Sequence, residues 1–228
     1  MTFRRWWGIP RDGVLGVPRW RLPTAVGCLA VMVVVVSTVD VLIDGPLRRW
    51  DQRLMLGVHG LEVTGWPHAV WRVIVVGGQF WLVGSLVMIA AVVAAWRRRA
   101  LLLVPAVGGW LALISMVIWL FKQALGRTPP GSGVDLLATA GQSFPSGHAA
   151  LGAACLLVIA ALTAGTSRRY LIGGAHVLAA GVATATVTLG YHWPSDAIAG
   201  WALGIVLGLA GRRVVTGPPL GSVSRAPK

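Results

Sequence analysis

Three places in this apolar chain carry residues that could do chemistry: Lys122, the tetrapeptide Pro145-Ser146-Gly147-His148, and the pair His192 and Asp196. Lys122 is one of only two lysines, the other being Lys228, and positive charge elsewhere is arginine. A lone lysine at the end of an apolar run either snorkels to an interface or holds an anion. The tetrapeptide reads as a helix start. Ser146 can cap the helix and donate to an anion, and Gly147 lets the backbone come close to a ligand. Free N–H groups and the positive end of the helix dipole suit a phosphate. Taken alone, the same four residues also describe an ordinary capped helix. His192 and Asp196 lie four residues apart around the next helix start. A carboxylate beside an imidazole fixes its tautomer and stabilises the imidazolium, leaving the other ring nitrogen as a nucleophile or base. Asp196 could equally serve only the helix N-terminus.

The elements that must position these residues are apolar helices. Hydrophobic residues make up 56% of the 228 and charged residues only 12%, where a soluble domain carries about 25% charged. Mean hydropathy is +0.73. Six apolar runs predict an all-α, polytopic membrane bundle of six transmembrane helices: Pro23–Ile43, Ala69–Trp96, Ala100–Phe121, Gly147–Ala164, Tyr170–Gly190 and Asp196–Gly211. The first is long enough to cross roughly 30 Å of hydrocarbon and lacks a clear cleavage site, so it reads as an uncleaved span. Before it lies a basic, Trp-rich arm, residues 1–22. The membrane domain is expected over 23–213, with a polar tail over 214–228. Leu47–His68 reads as interfacial helix and loop. Gly200, Gly204 and Gly208 give the sixth span a face for close helix contact, read as packing within the chain.

Charge sets orientation. Net charge is +13, with 20 Lys+Arg against 7 Asp+Glu. Arginine clusters in the N-terminal arm, at 97–99, at 168–169 and at 212–213 fall on one side if the spans alternate. The positive-inside rule makes that side cytoplasmic, so the chain reads as a multi-pass cell-membrane protein with both termini cytoplasmic. Residues 44–68, 122–146 and 191–195, and with them the chemistry, then lie outside. Arg48, Arg49, Arg53 and Arg72 are exceptions on that outer side. The clusters would meet lipid head groups, and no basic, aromatic-interleaved soluble face suggests nucleic acid. Cys28 and Cys155 fall inside apolar runs and read as small buried hydrophobes. Without CxxC or Cys/His clusters no metal site is expected, and His59, His68 and His176 read as structural or interfacial. No fixed-period repeat is present.

In order and surroundings, Lys122, Pro145-Ser146-Gly147-His148, and His192 with Asp196 resemble the motifs of the type 2 phosphatidic acid phosphatase family, of the acid phosphatase/vanadium haloperoxidase superfamily. The likeness covers nearly the whole chain. It implies hydrolysis of a lipid phosphate or diphosphate (polyprenyl diphosphate, phosphatidic acid or phosphatidylglycerol phosphate type) without metal or cofactor. It implies that His192 attacks phosphorus to form a phosphohistidine, that Asp196 orients it, and that His148 protonates the leaving oxygen and then activates water. Lys122, Arg127, Ser146 and Gly147 would hold phosphate oxygens. The family's Arg-Pro seven residues after the lysine is replaced by Pro129-Pro130. Its Ser-Arg before the nucleophilic histidine is replaced by Ala185-Thr186. Arg127 is expected to swing over the pocket as the replacement. The partners implied are the bilayer and a lipid phosphate within it. Two rival readings remain: a phosphotransferase to a lipid or sugar hydroxyl, and a non-catalytic member that binds lipid phosphate. A transporter is weaker, because charges within the spans are nearly absent.

Overall fold

The computed structural model describes residues 21–57, 63–163 and 168–217. The Trp-rich arm up to Trp20, His59, Glu62 and the tail beyond Gly217 lie outside the described residues. Among those described, the chain is all-helical: α1 (Arg21–Leu42), α2 (Pro46–Gly57), α3 (Gly65–Val76), α4 (Phe80–Arg98), α5 (Leu103–Leu125), α6 (Gly147–Leu162), α7 (Arg168–Thr188) and α8 (Pro194–Thr216), with a 3-10 turn at Pro130–Ser132. Helices α1, α4, α5, α7 and α8 are long and apolar enough to cross a membrane, and α6 is a shorter apolar helix of 16 residues. These are the six expected spans, with one correction. The run expected as a single helix from Ala69 to Trp96 is broken in two at Gly77-Gly78-Gln79. The cause is packing. A Cβ on Gly78 would stand 2.6 Å from the His148 carbonyl oxygen and 2.7 Å from Val182 Cγ1. The chain can turn there because only hydrogen occupies that space. Gln79 is the one polar residue at the break, and the long apolar stretches on either side of it let hydropathy read through.

Helices α6 and α8 form the central pair, and α1, α4 and α7 pack around them. Alanine and glycine permit this intimacy. A Cβ at Gly200 would fall 2.4 Å from the Ser146 oxygen, and one at Gly204 would fall 2.4 Å from the Ala150 oxygen. The glycine face of α8 therefore seats on α6 of the same chain. A core of Val83, Val87, Val107, Trp110, Ile114, Cys155, Val158 and Leu203 fills the space between α4, α5, α6 and α8. Cys155 is buried as expected, whereas Cys28 is exposed on α1, where it lines an open groove with Val206 and Leu209 of α8.

The bundle has two chemically distinct ends. At one, Arg98 donates to the Leu162 oxygen at 2.8 Å and to the Val215 oxygen at 3.1 Å, tying together the C-terminal ends of α6 and α8. At the other lie the start of α6, the start of α8, the end of α5 and the whole of α2. This second end carries the candidate chemistry.

Candidate active site

Each side chain at this end is fixed by the helix terminus that carries it. Ser146 is the N-cap of α6 and accepts the Ala149 N–H at 3.4 Å. Its own N–H donates to the Asp196 carbonyl at 3.0 Å, which locks the start of α6 to the start of α8. Gly147 and His148 follow in the first turn, whose N–H groups have no intrahelical acceptor. Lys122 stands in the last turn of α5, and its ammonium donates to the Gln142 carbonyl. A Cβ on Gly147 would lie 3.8 Å from Lys122 Cε, so lysine and glycine face the same space.

Between α7 and α8 the chain turns tightly. Thr186 supplies the anchor: its carbonyl accepts the N–H groups of Tyr191 at 2.9 Å and His192 at 3.2 Å. Asp196 then reaches back from the first turn of α8 to accept the Trp193 N–H at 3.0 Å. The same Oδ2 lies 3.8 Å from His192 Nδ1 and accepts the Ser143 hydroxyl. Ser143 Oγ is itself 3.5 Å from Nδ1. Asp196 thus serves the helix start and faces the imidazole at once. With Nδ1 turned to this carboxylate and hydroxyl, the Nε2 edge of His192 points the other way.

The His148 and His192 rings meet edge to face, with centroids 6.3 Å apart and planes at 65°. Both line an open cavity of about 570 Å³, together with Lys122, Gly147, Ser143, Gln142 and Pro129. The rest of its wall sets Phe80, Ile118, Trp119 and Leu151 beside Gln79, Ser115 and Tyr191. Phe80 and Trp119 are exposed on the outside of the bundle. His148 Nε2 is buried yet has no hydrogen-bond partner in the protein. A buried polar atom without a partner is uncommon, and here it borders the cavity.

The structure brings Lys122, Gly147, His148 and His192 onto one cavity, with Asp196 directly behind His192. It does not bring Ser146 or Arg127 there. Ser146 is fully buried, does not line the cavity, and accepts the Ala149 N–H as a cap. Arg127 is the larger correction. It was expected to swing over the pocket, but it is fully buried and all five of its N–H donors are taken. Nε and Nη2 bind Asp135 Oδ1 and Oδ2 at 2.9 Å each, and Nη2 also binds Asp51 at 2.9 Å. Nη1 binds Ser195 Oγ at 2.8 Å and Asp196 Oδ1 at 2.7 Å. No donor remains for a phosphate. Thr186, at the position where the resemblance expects arginine, is also fully buried, and its hydroxyl donates to the Ala183 carbonyl at 2.7 Å.

Sequence reasoning passed over Ser143, Asp51, Asp135 and Ser195. Asp51 sits on α2 with no exposure; its Oδ1 accepts the Ser195 N–H at 2.9 Å, and its Oδ2 accepts the Ser195 hydroxyl. Asp135 also accepts Arg48 Nε at 2.9 Å and Gln52 at 3.2 Å. Burial raises the Asp51 carboxyl above its usual range, against the hydrogen bonds of Ser195 and the charge of Arg127. For Asp135 burial also acts upward, but the bonds and charge of Arg127, joined by those of Arg48 and Gln52, outweigh it and hold the carboxyl low. The difference follows from the weaker burial of Asp135 and from its two-point contact with Arg127, to which Arg48 and Gln52 add. Among the described residues no group of three or more His, Cys, Asp or Glu is arranged to hold a metal ion.

Residues 100–217, which hold Lys122, Ser143, Gly147, His148 and His192 of the cavity, match the sequence profile of the PAP2 superfamily. The chain belongs to that superfamily. No curated protein matches it. Among solved structures it is similar to one described as the first transmembrane PAP2 type phosphatidylglycerolphosphate phosphatase from Bacillus subtilis. The TM-score is 0.66 at 19% identity, over 83% of this chain and 93% of that one. Helix lengths, apolar surface and this likeness of fold make the chain a multi-pass membrane protein.

Proposed function

We propose that this PAP2 member is a membrane phosphohydrolase acting on a lipid phosphate or diphosphate. The observation that carries the reading is the adjacent pair of imidazoles, edge to face at 6.3 Å on a cavity shared with Lys122 and Gly147. His192 Nε2 attacks phosphorus and forms the P–N bond as the P–O bond to the lipid breaks. His148 gives a proton to the leaving oxygen. In the second step water attacks phosphorus, His148 takes its proton, and the P–N bond breaks to release phosphate and restore His192. Asp196, with Ser143 between, holds His192 by its Nδ1 edge. Lys122 and the first N–H groups of α6 balance charge on the phosphate oxygens. Phe80 and Trp119, exposed at the cavity wall, suit a substrate whose apolar part stays in the bilayer.

The reading places the active site on the extracytoplasmic side and both termini in the cytoplasm. The arginine clusters at 97–99 and 212–213 support it, since they mark the opposite end of the bundle. Arg48, an apparent exception, has its charge matched by Asp135 at 2.9 Å. The test is phosphate release by the purified full chain across a panel of lipid phosphates and diphosphates. His192→Ala is expected to abolish turnover and the acid-labile phosphoenzyme. Near-full activity in that variant overturns the mechanism. A second reading, lipid-phosphate binding without turnover, draws on the sequestration of Arg127, which leaves Lys122 as the fixed cation at the cavity. Saturable binding with no phosphate release selects it.

A further inference from the structure

The Arg127 cluster is larger than a helix cap requires. Of the chain's seven acidic residues, three (Asp51, Asp135 and Asp196) converge on this one guanidinium. Asp51 and Asp196 have no exposure, and Asp135 shows 2% at its side chain. Burying ions this way is costly, and well-packed apolar residues of similar volume often stabilise a core as well or better. In a chain with 56% hydrophobic residues, fold stability alone is a weak reason for such a cluster.

The geometry gives a better one. Asp196 has two oxygens with different tasks. Arg127 Nη1 holds Oδ1 at 2.7 Å, while Oδ2 faces Ser143, the Trp193 N–H and His192 Nδ1. With Oδ1 clamped, rotation of the carboxyl would break a charge-assisted bond. Arg127 is in turn fixed from the far side. Asp51 holds Nη2 and, through the Ser195 N–H and hydroxyl, the first turn of α8. Asp135 takes the remaining edge in a two-point contact. The Arg127 guanidinium also stacks 5.2 Å over the Trp193 ring, beside His192.

We propose that Arg127 and Asp51 are positioning residues for the His192–Asp196 pair, so that the amphipathic helix α2, far away in sequence, is part of the reaction apparatus. The proposal rests on the assignment of His192 and Asp196 made above. Neither Arg127 nor Asp51 lines the cavity, so their loss strikes turnover and spares substrate binding. A purely structural tie would instead lower the folded fraction and leave the surviving molecules fully active.

The test uses the purified full chain in detergent, with phosphate release from a lipid phosphate monoester normalised to folded protein. Three variants are compared. Asp51→Asn keeps the shape and the Oδ1 acceptor but removes the charge. Arg127→Lys keeps the charge but loses the five-donor fork. Ser195→Ala removes one hydroxyl and folds even if the other two do not. We expect kcat to fall about tenfold or more in each, with KM within about twofold of wild type, because a small misplacement of a reacting group is costly in rate. Arg127→Lys is expected not to rescue. Wild-type kcat per folded molecule in Ser195→Ala and Asp51→Asn, or a loss that appears in KM alone, overturns the proposal. Asp196→Asn and His192→Ala run alongside. If these retain activity, the assignment of the reacting pair has failed rather than its positioning.

Discussion

Gly78→Ala probes how tightly the α3–α4 turn sets the position of His148. The added methyl would lie 2.6 Å from the His148 oxygen, 2.7 Å from Val182 Cγ1 and 2.8 Å from His148 Cβ. Ordinary contact begins near 3.4 Å, so the gap must open by roughly 0.6–0.8 Å. Two of the three neighbours belong to His148, one of them backbone, so no rotamer change relieves the clash. Overpacking of this kind typically costs about 1–3 kcal/mol. The larger effect is on rate, since His148 must move toward the cavity or α3 must lift away. A displacement approaching 1 Å at a reacting group can cost on the order of 10²-fold. Gly108→Ala, on α5, is the matched control because nothing lies within 4 Å of its Cβ. Phosphate release and thermal stability in detergent are measured for both. Gly108→Ala is expected to behave as wild type, and Gly78→Ala to lose roughly 10²-fold in kcat with a modest fall in midpoint. Activity of Gly78→Ala within threefold of the control would refute the claim that this contact sets the site.

Two further outcomes are expected. Lys122→Ala removes the fixed cation from the cavity and is expected to lower kcat/KM by about 10²–10³-fold, the size seen on losing one transition-state donor; a loss below fivefold in a phosphate-release assay would show that the helix N-terminus suffices. In a Cys28→Ser background, a cysteine at Ser132 is expected to react with a membrane-impermeant thiol reagent in intact cells and one at Arg97 is not. The reverse pattern would invert the orientation, and Arg97 is preferred to Arg98 because Arg98 ties two helix ends.

What the sequence made legible is local or periodic. Apolar runs announce the spans, and the spacing of His192 and Asp196 puts both at one helix start whatever surrounds them. The break at Gly77-Gly78 was hidden because its cause, the His148 backbone, lies some seventy residues on. Arg127 was misread for a similar reason. A motif near Lys122 placed it close to the cavity, but its direction is set by Asp51 on α2 and by Asp135, and neither shows a periodic signal. One clue was available: seven acidic residues in so basic a chain are few enough that each asks for a partner. Whether Pro145-Ser146-Gly147-His148 simply begins a capped helix was open in the sequence, and the Ala149 N–H bond to the Ser146 hydroxyl shows the cap.

Helix α6 is short, and the place where its shortfall lies matters. Its 16 residues span about 24 Å, whereas α8 from Pro194 to Val215 spans about 33 Å. Because Arg98 holds their C-terminal ends level, the difference of roughly 9 Å falls at the Gly147 end. Gly200, six residues into α8, accordingly meets Ser146. The floor of the cavity is therefore sunk below the rim made by the start of α8, toward the middle of the bundle. A phosphate that reaches it sheds bulk water on the way, which strengthens every charge it meets there. After cleavage the two products have opposite solubilities. On the proposed reaction, inorganic phosphate departs toward water and the lipid alcohol toward the leaflet, so the geometry of the floor separates the pair that would reverse it.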